Sequence, residues 1–177
     1  TLMLTGIISK TKNFQETHFS PTLMTNVARM MSIGADREQI VNELFRTRTI
    51  NSLALWGSVY QHLQSSEPHN LMWSVIPRDV FIHARASVTM LNEIVDDLFM
   101  QTQHTKTILL IYENPETADN VNAIIATRGH DARALTQPYI GEKNPTRARI
   151  DFKDLSMIEC ERELIDHIKT QLEKNPQ

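Results

Sequence analysis

The sequence predicts an α/β (α+β) chain: an N-terminal helical segment followed by a small mixed sheet with flanking helices. Three observations predict it. Apolar residues recur at helical spacing between cap signals over roughly the first third. A polar, turn-rich stretch, Ser65-Ser66-Glu67-Pro68-His69-Asn70, then interrupts the pattern. Beyond it, short aliphatic runs alternate with helical ones, and the run over 107–112 (Thr-Ile-Leu-Leu-Ile-Tyr) has the composition of a buried central strand. The expected organisation is a helical segment over 1–64, a linker over 65–70 and an α/β domain over 71–177.

Each element has a local reason. Ser20 and Pro21 supply an N-cap and a first-turn proline, and Leu23, Val27, Met30 and Met31 follow at helical spacing until Gly34. Asp36 caps a second helix with Ile40, Val41, Leu44 and Phe45 on its apolar face. A third helix presents Ile50, Leu53, Trp56, Tyr60 and Leu63, with Arg46 and Arg48 on its approach. After the linker, 71–76 reads as a strand, and Ser87 caps a helix with Val88, Leu91, Val95 and Leu98 inward. Strands follow over 107–112, 121–127 and 147–152, making about four in all, with a short helix capped by Asp131 before the last. Ser156 and Glu159 have the spacing of a capping box, opening a helix with Ile158, Leu164, Ile165, Ile168 and Leu172 on one face.

Composition narrows the function classes. The chain has 177 residues, 41% of them hydrophobic and 22% charged, which suits an ordinary globular core. A net charge of −3 leaves no polybasic field, so any nucleic-acid contact must be local. The single cysteine, Cys160, excludes an internal disulfide and favours a reducing, cytoplasmic compartment. It reads as a small, partly buried residue, because no base adjoins it. No apolar run approaches the roughly 20 residues of a membrane-spanning helix. The opening Thr1-Leu2-Met3-Leu4-Thr5 reads as a chain cut in mid-fold. Trp56, Tyr60 and Trp73 are of a type that stacks bases, at about 1–3 kcal/mol per base. Their periodicity assigns them to the core instead, as it does the methionines.

Residues 5–14, Thr-Gly-Ile-Ile-Ser-Lys-Thr-Lys-Asn-Phe, resemble the last motif of the DHH phosphoesterases, TGIxxDTxxF. The Ser20-Pro21-Thr22 turn, the Ile33-Gly34-Ala35-Asp36 break and the run over 53–63 are similar to the helices that close a DHH domain. The stretch from Leu71 onward resembles a DHHA1 domain. The resemblance implies metal-dependent phosphoester hydrolysis with a pair of Mn²⁺ or Mg²⁺ ions, on a nucleotide or short single-stranded oligonucleotide. Two such ions, held by carboxylates and imidazoles, acidify a water and clamp the phosphoryl oxygens.

The chain departs from that pattern in three places. Lys10 stands where the family has a metal-binding Asp. An ammonium about 4 Å from a divalent ion meets about 8 kcal/mol of repulsion at an effective dielectric near 20. Lys10 is therefore either a solvated lysine on a broken motif or a cation standing in for a metal. No Asp-His-His occurs; the seven histidines are scattered, and Asp96-Asp97 reads as a solvated helix edge. The family's glycine-rich turn falls near 139–144, with Gly141 alone in place of several glycines and Asn144 near the place of its histidine. A basic cluster remains, Arg128, Arg133, Lys143, Arg147 and Arg149. The triplet Arg128-Gly129-His130, between a strand and a helix, is its most site-like part. The expected substrate-binding residues are Arg128, His130, Lys143, Asn144 and Arg147, with no catalytic or metal-binding residue in this chain. The expected role is the closing segment and substrate-binding domain of a phosphoesterase-like protein. The alternative is an inactive nucleotide-binding or protein-interaction module of the same fold. An open apolar face on the helical segment would favour a homodimer.

Overall fold

The computed structural model describes residues 2–11, 14, 20–46, 50–102, 104–117, 120–153 and 155–174, the side chains of 45 and 46 excepted. Phe45 as part of an apolar face, the basic pair Arg46 and Arg48, and Lys12, Asn13 and His18 lie outside that description. The chain divides into two compact units, Thr1–Thr49 and Ile50–Gln177.

The first unit is helical. Helix α1 (Leu2–Lys10) carries the Thr5-Gly6-Ile7-Ile8 sequence, α2 spans Pro21–Ser32 and α3 spans Arg37–Val41, running into a π-helical turn, Asn42–Arg46. The caps are those the sequence predicts: Ser20 Oγ accepts from the Leu23 N–H at 3.2 Å, and the Asp36 carboxylate from that of Gln39 at 2.9 Å. Leu4, Ile8, Val27, Ala35 and Ile40 make the core. Met31 is exposed rather than core filler.

The second unit is a six-stranded mixed sheet between two helical layers. Its helices and strands are α4 (Ile50–Gln61), β1 (Gln64–Ser66), β2 (Leu71–Ile76), α5 (Arg78–Ala84), α6 (Met90–Gln101), β3 (Thr107–Glu113), β4 (Asn120–Thr127), α7 (Ala132–Leu135), β5 (Gly141–Lys143), β6 (Arg147–Lys153) and α8 (Met157–Lys174). The strand order is β1-β2-β3-β4-β6-β5. Only β2 and β3 are parallel, joined across α5 and α6; every other pair is antiparallel.

Several elements differ from expectation. Residues 65–70, expected as a linker, form the edge strand β1 and a 3₁₀ turn, Glu67–His69. Asn70 closes that hairpin in the left-handed region at φ 48°. Turn-forming residues mark both linkers and hairpins, and here they bend the chain back onto its own sheet. Helix α4 therefore belongs with the sheet, and it buries Ser52, Leu55, Trp56 and Val59 while Ile50 and Leu53 are exposed. The stripe expected through Leu53 and Tyr60 is one helical step off the stripe that packs. Helix α6 starts at Met90, not after Ser87, whose carbonyl accepts the Met90 N–H at 3.1 Å. On α8, Ile158 is exposed and Cys160 takes its place on the buried face.

Strand alternation assigns the two sheet faces. On one, Leu71, Trp73, Leu109, Ile111, Val121, Ala123, Ile125, Ile150 and Phe152 pack with α7 and α8. On the other, Ile76, Ile108, Leu110, Tyr112, Ile124 and Ala126 pack with α4, α5 and α6. Those three helices cover this second face over β2, β3 and β4. On β6 it carries Arg147, Arg149 and Asp151 in alternation with the buried Ala148, Ile150 and Phe152. The sheet is thus polar where its helical cover ends.

Candidate functional site: a cleft over β5 and β6

That polar strip floors a cleft of about 470 Å³, walled by the turn before α6 (Ser87, Thr89), the first turn of α6 (Asn92) and the residues after β3 (Asn114, Glu116), with Arg147 and Arg149 on its floor. Register explains the floor. Leu110, Ile124, Arg149 and Glu142 form one row across β3, β4, β6 and β5, and Ile76, Tyr112, Asn122 and Asp151 form the next across β2, β3, β4 and β6.

The two arginines are held differently. Arg147 donates from Nη1 to Asn92 Oδ1 at 3.0 Å and pairs through Nη2 with Asp96 of α6. Asp96 is therefore half-buried and ion-paired, not part of a solvated edge. Arg149 is exposed, its guanidinium lies 5.9 Å from the centre of the Tyr112 ring, and it makes no ion pair among the described residues. Asp96 offsets the charge of Arg147 and leaves Arg149 as the cation best able to meet an anion.

The five expected binding residues separate. Lys143, Asn144 and Arg147 line the cleft, and each is already bonded within the fold, Arg147 to Asn92 and Asp96 as above. The Lys143 ammonium donates to the carbonyls of Thr136 and Tyr139. Asn144 Oδ1 accepts from the Thr146 and Arg147 N–H groups at 3.0 and 2.7 Å, forming an Asx turn into β6. Arg128 is directed to α6, donating to the Phe99 carbonyl at 3.0 Å with its guanidinium 4.5 Å from the Phe99 ring centre. His130 lies in a different cleft, of about 330 Å³, with His69, Asn70, Lys106 and Glu173. Burial, helped by the Lys106 ammonium, holds its imidazole below the usual range. In that cleft His69 Nε2 lies 3.0 Å from Glu173 Oε1, and its Nδ1 lies 2.8 Å from Ser66 Oγ.

Arg149 was visible in the sequence as part of the basic cluster. The signal that singles it out is period two: Arg147, Arg149 and Asp151 share a face because Ala148, Ile150 and Phe152 share the other. Ser87, Thr89, Asn92, Asn114 and Glu116 carry no such signal, since distant parts of the chain bring them together.

The expectation of divalent ions fits this chain poorly. Lys10 is exposed in the last turn of α1, on the rim of a shallow hollow with Met3, Ile7 and Leu23. Among the described residues, no three His, Cys, Asp or Glu side chains converge to hold a metal. No described helix is long and apolar enough to cross a membrane.

Comparison with protein-family profiles finds no match, and comparison with curated proteins finds none either. Solved structures do match. An exopolyphosphatase-related protein from Bacteroides fragilis superposes with a TM-score of 0.75 at 14% identity, covering 95% of this chain and 47% of its own. A putative family II inorganic pyrophosphatase from Methanococcus jannaschii covers 97% of this chain and 55% of its own, at 9% identity and a TM-score of 0.46. The chain therefore has the fold found in the exopolyphosphatase-related protein, and spans about half the length of that structure.

Proposed function

We propose that this chain is the closing segment and substrate-binding domain of a DHH-type phosphoesterase-like protein, its 71–177 part corresponding to DHHA1. Its ligand is a nucleotide or short single-stranded oligonucleotide, held by phosphate at the β5–β6 cleft. The observation that carries this reading is Arg149, an exposed guanidinium without an ion-pair partner among the described residues. It sits beside the pinned Arg147 where the sheet loses its helical cover. The fold it shares with an exopolyphosphatase-related protein supports the class. Arg149 meets the phosphoryl oxygens through charge-assisted hydrogen bonds, Arg147 is held in place by Asn92 and Asp96, and Ser87, Thr89 and Asn92 supply neutral partners along one wall.

The test is calorimetric binding of AMP and a short oligonucleotide. Arg149→Ala should weaken both by tenfold or more, since a hydrogen bond to a charged group contributes about 1.5–3 kcal/mol. Binding that ignores Arg149 would remove the cleft from consideration.

The second reading, an inactive nucleotide-binding module, is favoured by Lys10. Both readings expect the pure chain to show no Mn²⁺-dependent hydrolysis of pAp or a dinucleotide. They diverge for any longer protein that contains it: chelator-sensitive turnover there selects the enzyme, and its absence selects the module.

A further inference from the structure

The cleft is lined by acids as well as bases. Arg149 on β6 stands directly opposite Glu142 on β5, so their side chains share one face of the sheet. Cross-strand neighbours of opposite charge readily pair, yet these two form no ion pair, and the guanidinium lies against the Tyr112 ring instead. Glu116 lines the cleft from the residues after β3. Its turn is anchored. Arg78 Nη2 donates to the Pro115 carbonyl at 3.1 Å, the Asn114 N–H to the Asn120 carbonyl at 3.1 Å, and the Glu116 N–H to Asn114 Oδ1 at 3.0 Å. Both glutamates are exposed, and neither carboxylate has a hydrogen-bonded or ionic partner among the described residues.

Lys143, Arg147 and Arg149 bring three positive charges to the cleft, and Asp96, Glu116 and Glu142 bring three negative ones. Arg147 is offset by Asp96, and Lys143 is held by backbone carbonyls. Arg149 is left with two open carboxylates. The strand order sets them apart: β5 lies on one side of β6, and β4 and then β3 on the other. Arg149 therefore has Glu142 to one side and Glu116 to the other. Such a cleft draws in a single negative charge at its centre and repels a dense cluster of them.

We propose that the cleft is built for an internal phosphodiester, whose single charge Arg149 takes while Glu142 and Glu116 accept hydrogen bonds from the nucleosides on either side. This rests on the phosphate-binding role given to Arg149 and narrows its ligand. A phosphodiester has a nucleoside on each flank, and sugar hydroxyls and base amino groups are donors that a carboxylate accepts. Pyrophosphate carries about three charges, against nearly two for a phosphomonoester, and it offers acceptors where the carboxylates require donors. A carboxylate about 7 Å from a phosphoryl charge lowers affinity about threefold per unit of ligand charge in water. Repulsion of the wrong ligand thus contributes to selectivity alongside attraction of the right one.

The experiment is titration calorimetry with the dinucleotide ApA and with inorganic pyrophosphate, on wild type, Glu142→Gln, Glu116→Gln and Arg149→Ala. Wild type should bind ApA about tenfold more tightly than pyrophosphate, or better. Each glutamine variant keeps an acceptor oxygen and loses the charge. It should strengthen pyrophosphate binding about tenfold or more and move ApA binding by no more than about threefold. Both positions are exposed, so these variants should melt as wild type does. Equal wild-type affinities, or glutamine variants that move both ligands alike or neither, overturn the phosphodiester assignment, while loss of ApA binding in Arg149→Ala keeps the proposed function. If Arg149→Ala binds as wild type does, or wild type binds neither ligand, both fall.

Discussion

The Lys143 ammonium donates to the backbone carbonyl of Thr136 at 2.8 Å, and to that of Tyr139 as well. One cation thereby closes the segment between α7 and β5, joining the Tyr139 carbonyl to that of Thr136, which also accepts the Tyr139 N–H at 2.9 Å. A lysine that a sequence reading assigns to substrate is thus already engaged with the backbone. Lys143→Met keeps most of the aliphatic stem and loses the donors. It should lower stability by about 2 kcal/mol, read by urea unfolding. Unchanged stability would return Lys143 to the list of ligand contacts.

Arg147 and Asp96 tie the floor of the cleft to α6, with side-chain exposures of 29% and 32%. A half-exposed pair is worth more than a surface one and less than a desolvated one. A double-mutant cycle with Arg147→Ala and Asp96→Ala should give a coupling of about 1 kcal/mol, and less at high salt. Coupling near zero would make Asp96 a bystander, and Arg147 would then offer its full charge to the ligand.

How much of this was legible follows from what each signal encodes. Ser156 and Glu159 announce a helix start by spacing alone, and the reciprocal bonds are there: Ser156 N–H to Glu159 Oε2 at 3.0 Å, and Glu159 N–H to Ser156 Oγ at 3.3 Å. The buried strand through Leu109, Leu110 and Ile111 is equally local, because a strand covered on both faces must be apolar throughout. Helix α4 shows the limit. Its apolar residues allow more than one stripe, and the sheet selects the one containing Leu55 and Val59, where Ser74 Oγ donates to the Val59 carbonyl at 2.9 Å. The cleft is less legible still. Basic residues were visible, but whether Arg128 faces Phe99 or a ligand depends on where α6 ends, and single residues do not record that.

Gly141 makes a sharper prediction. It stands in β5 at φ +156°, and a Cβ there would come within 1.9 Å of the Arg149 carbonyl oxygen. The obstacle is backbone, which cannot swing aside as a side-chain end can. Gly141→Ala should destabilise by about 3 kcal/mol and release β5 from β6, taking Arg149 with it, so AMP affinity should fall alongside the melting temperature. Gly141→Asn should do no better, because tolerance of positive φ does not relieve a clash. A Gly141→Ala protein of normal stability would show that the β5–β6 pairing is loose enough to yield.

Cys160 connects the core to pH. The residue is fully buried on α8, and burial pushes its thiol up to about 11 from 9.0, with Glu163 and Glu159 adding in the same direction. A folded pKa above the unfolded one means that the unfolded chain releases its proton first as pH rises. The stability this neutral thiol contributes is complete below about pH 9 and is lost progressively through about pH 11. The urea midpoint should therefore fall between pH 8.5 and 10.5, and Cys160→Ala, though weaker at neutral pH, should fall less steeply over the same interval. At pH 8 the thiol should resist an aromatic disulfide reagent until urea is added, since only the thiolate attacks and burial withholds it. Parallel pH slopes for the two proteins, or prompt labelling in the native state, would show that α8 opens far more readily than its packing against β3, β4 and β6 allows.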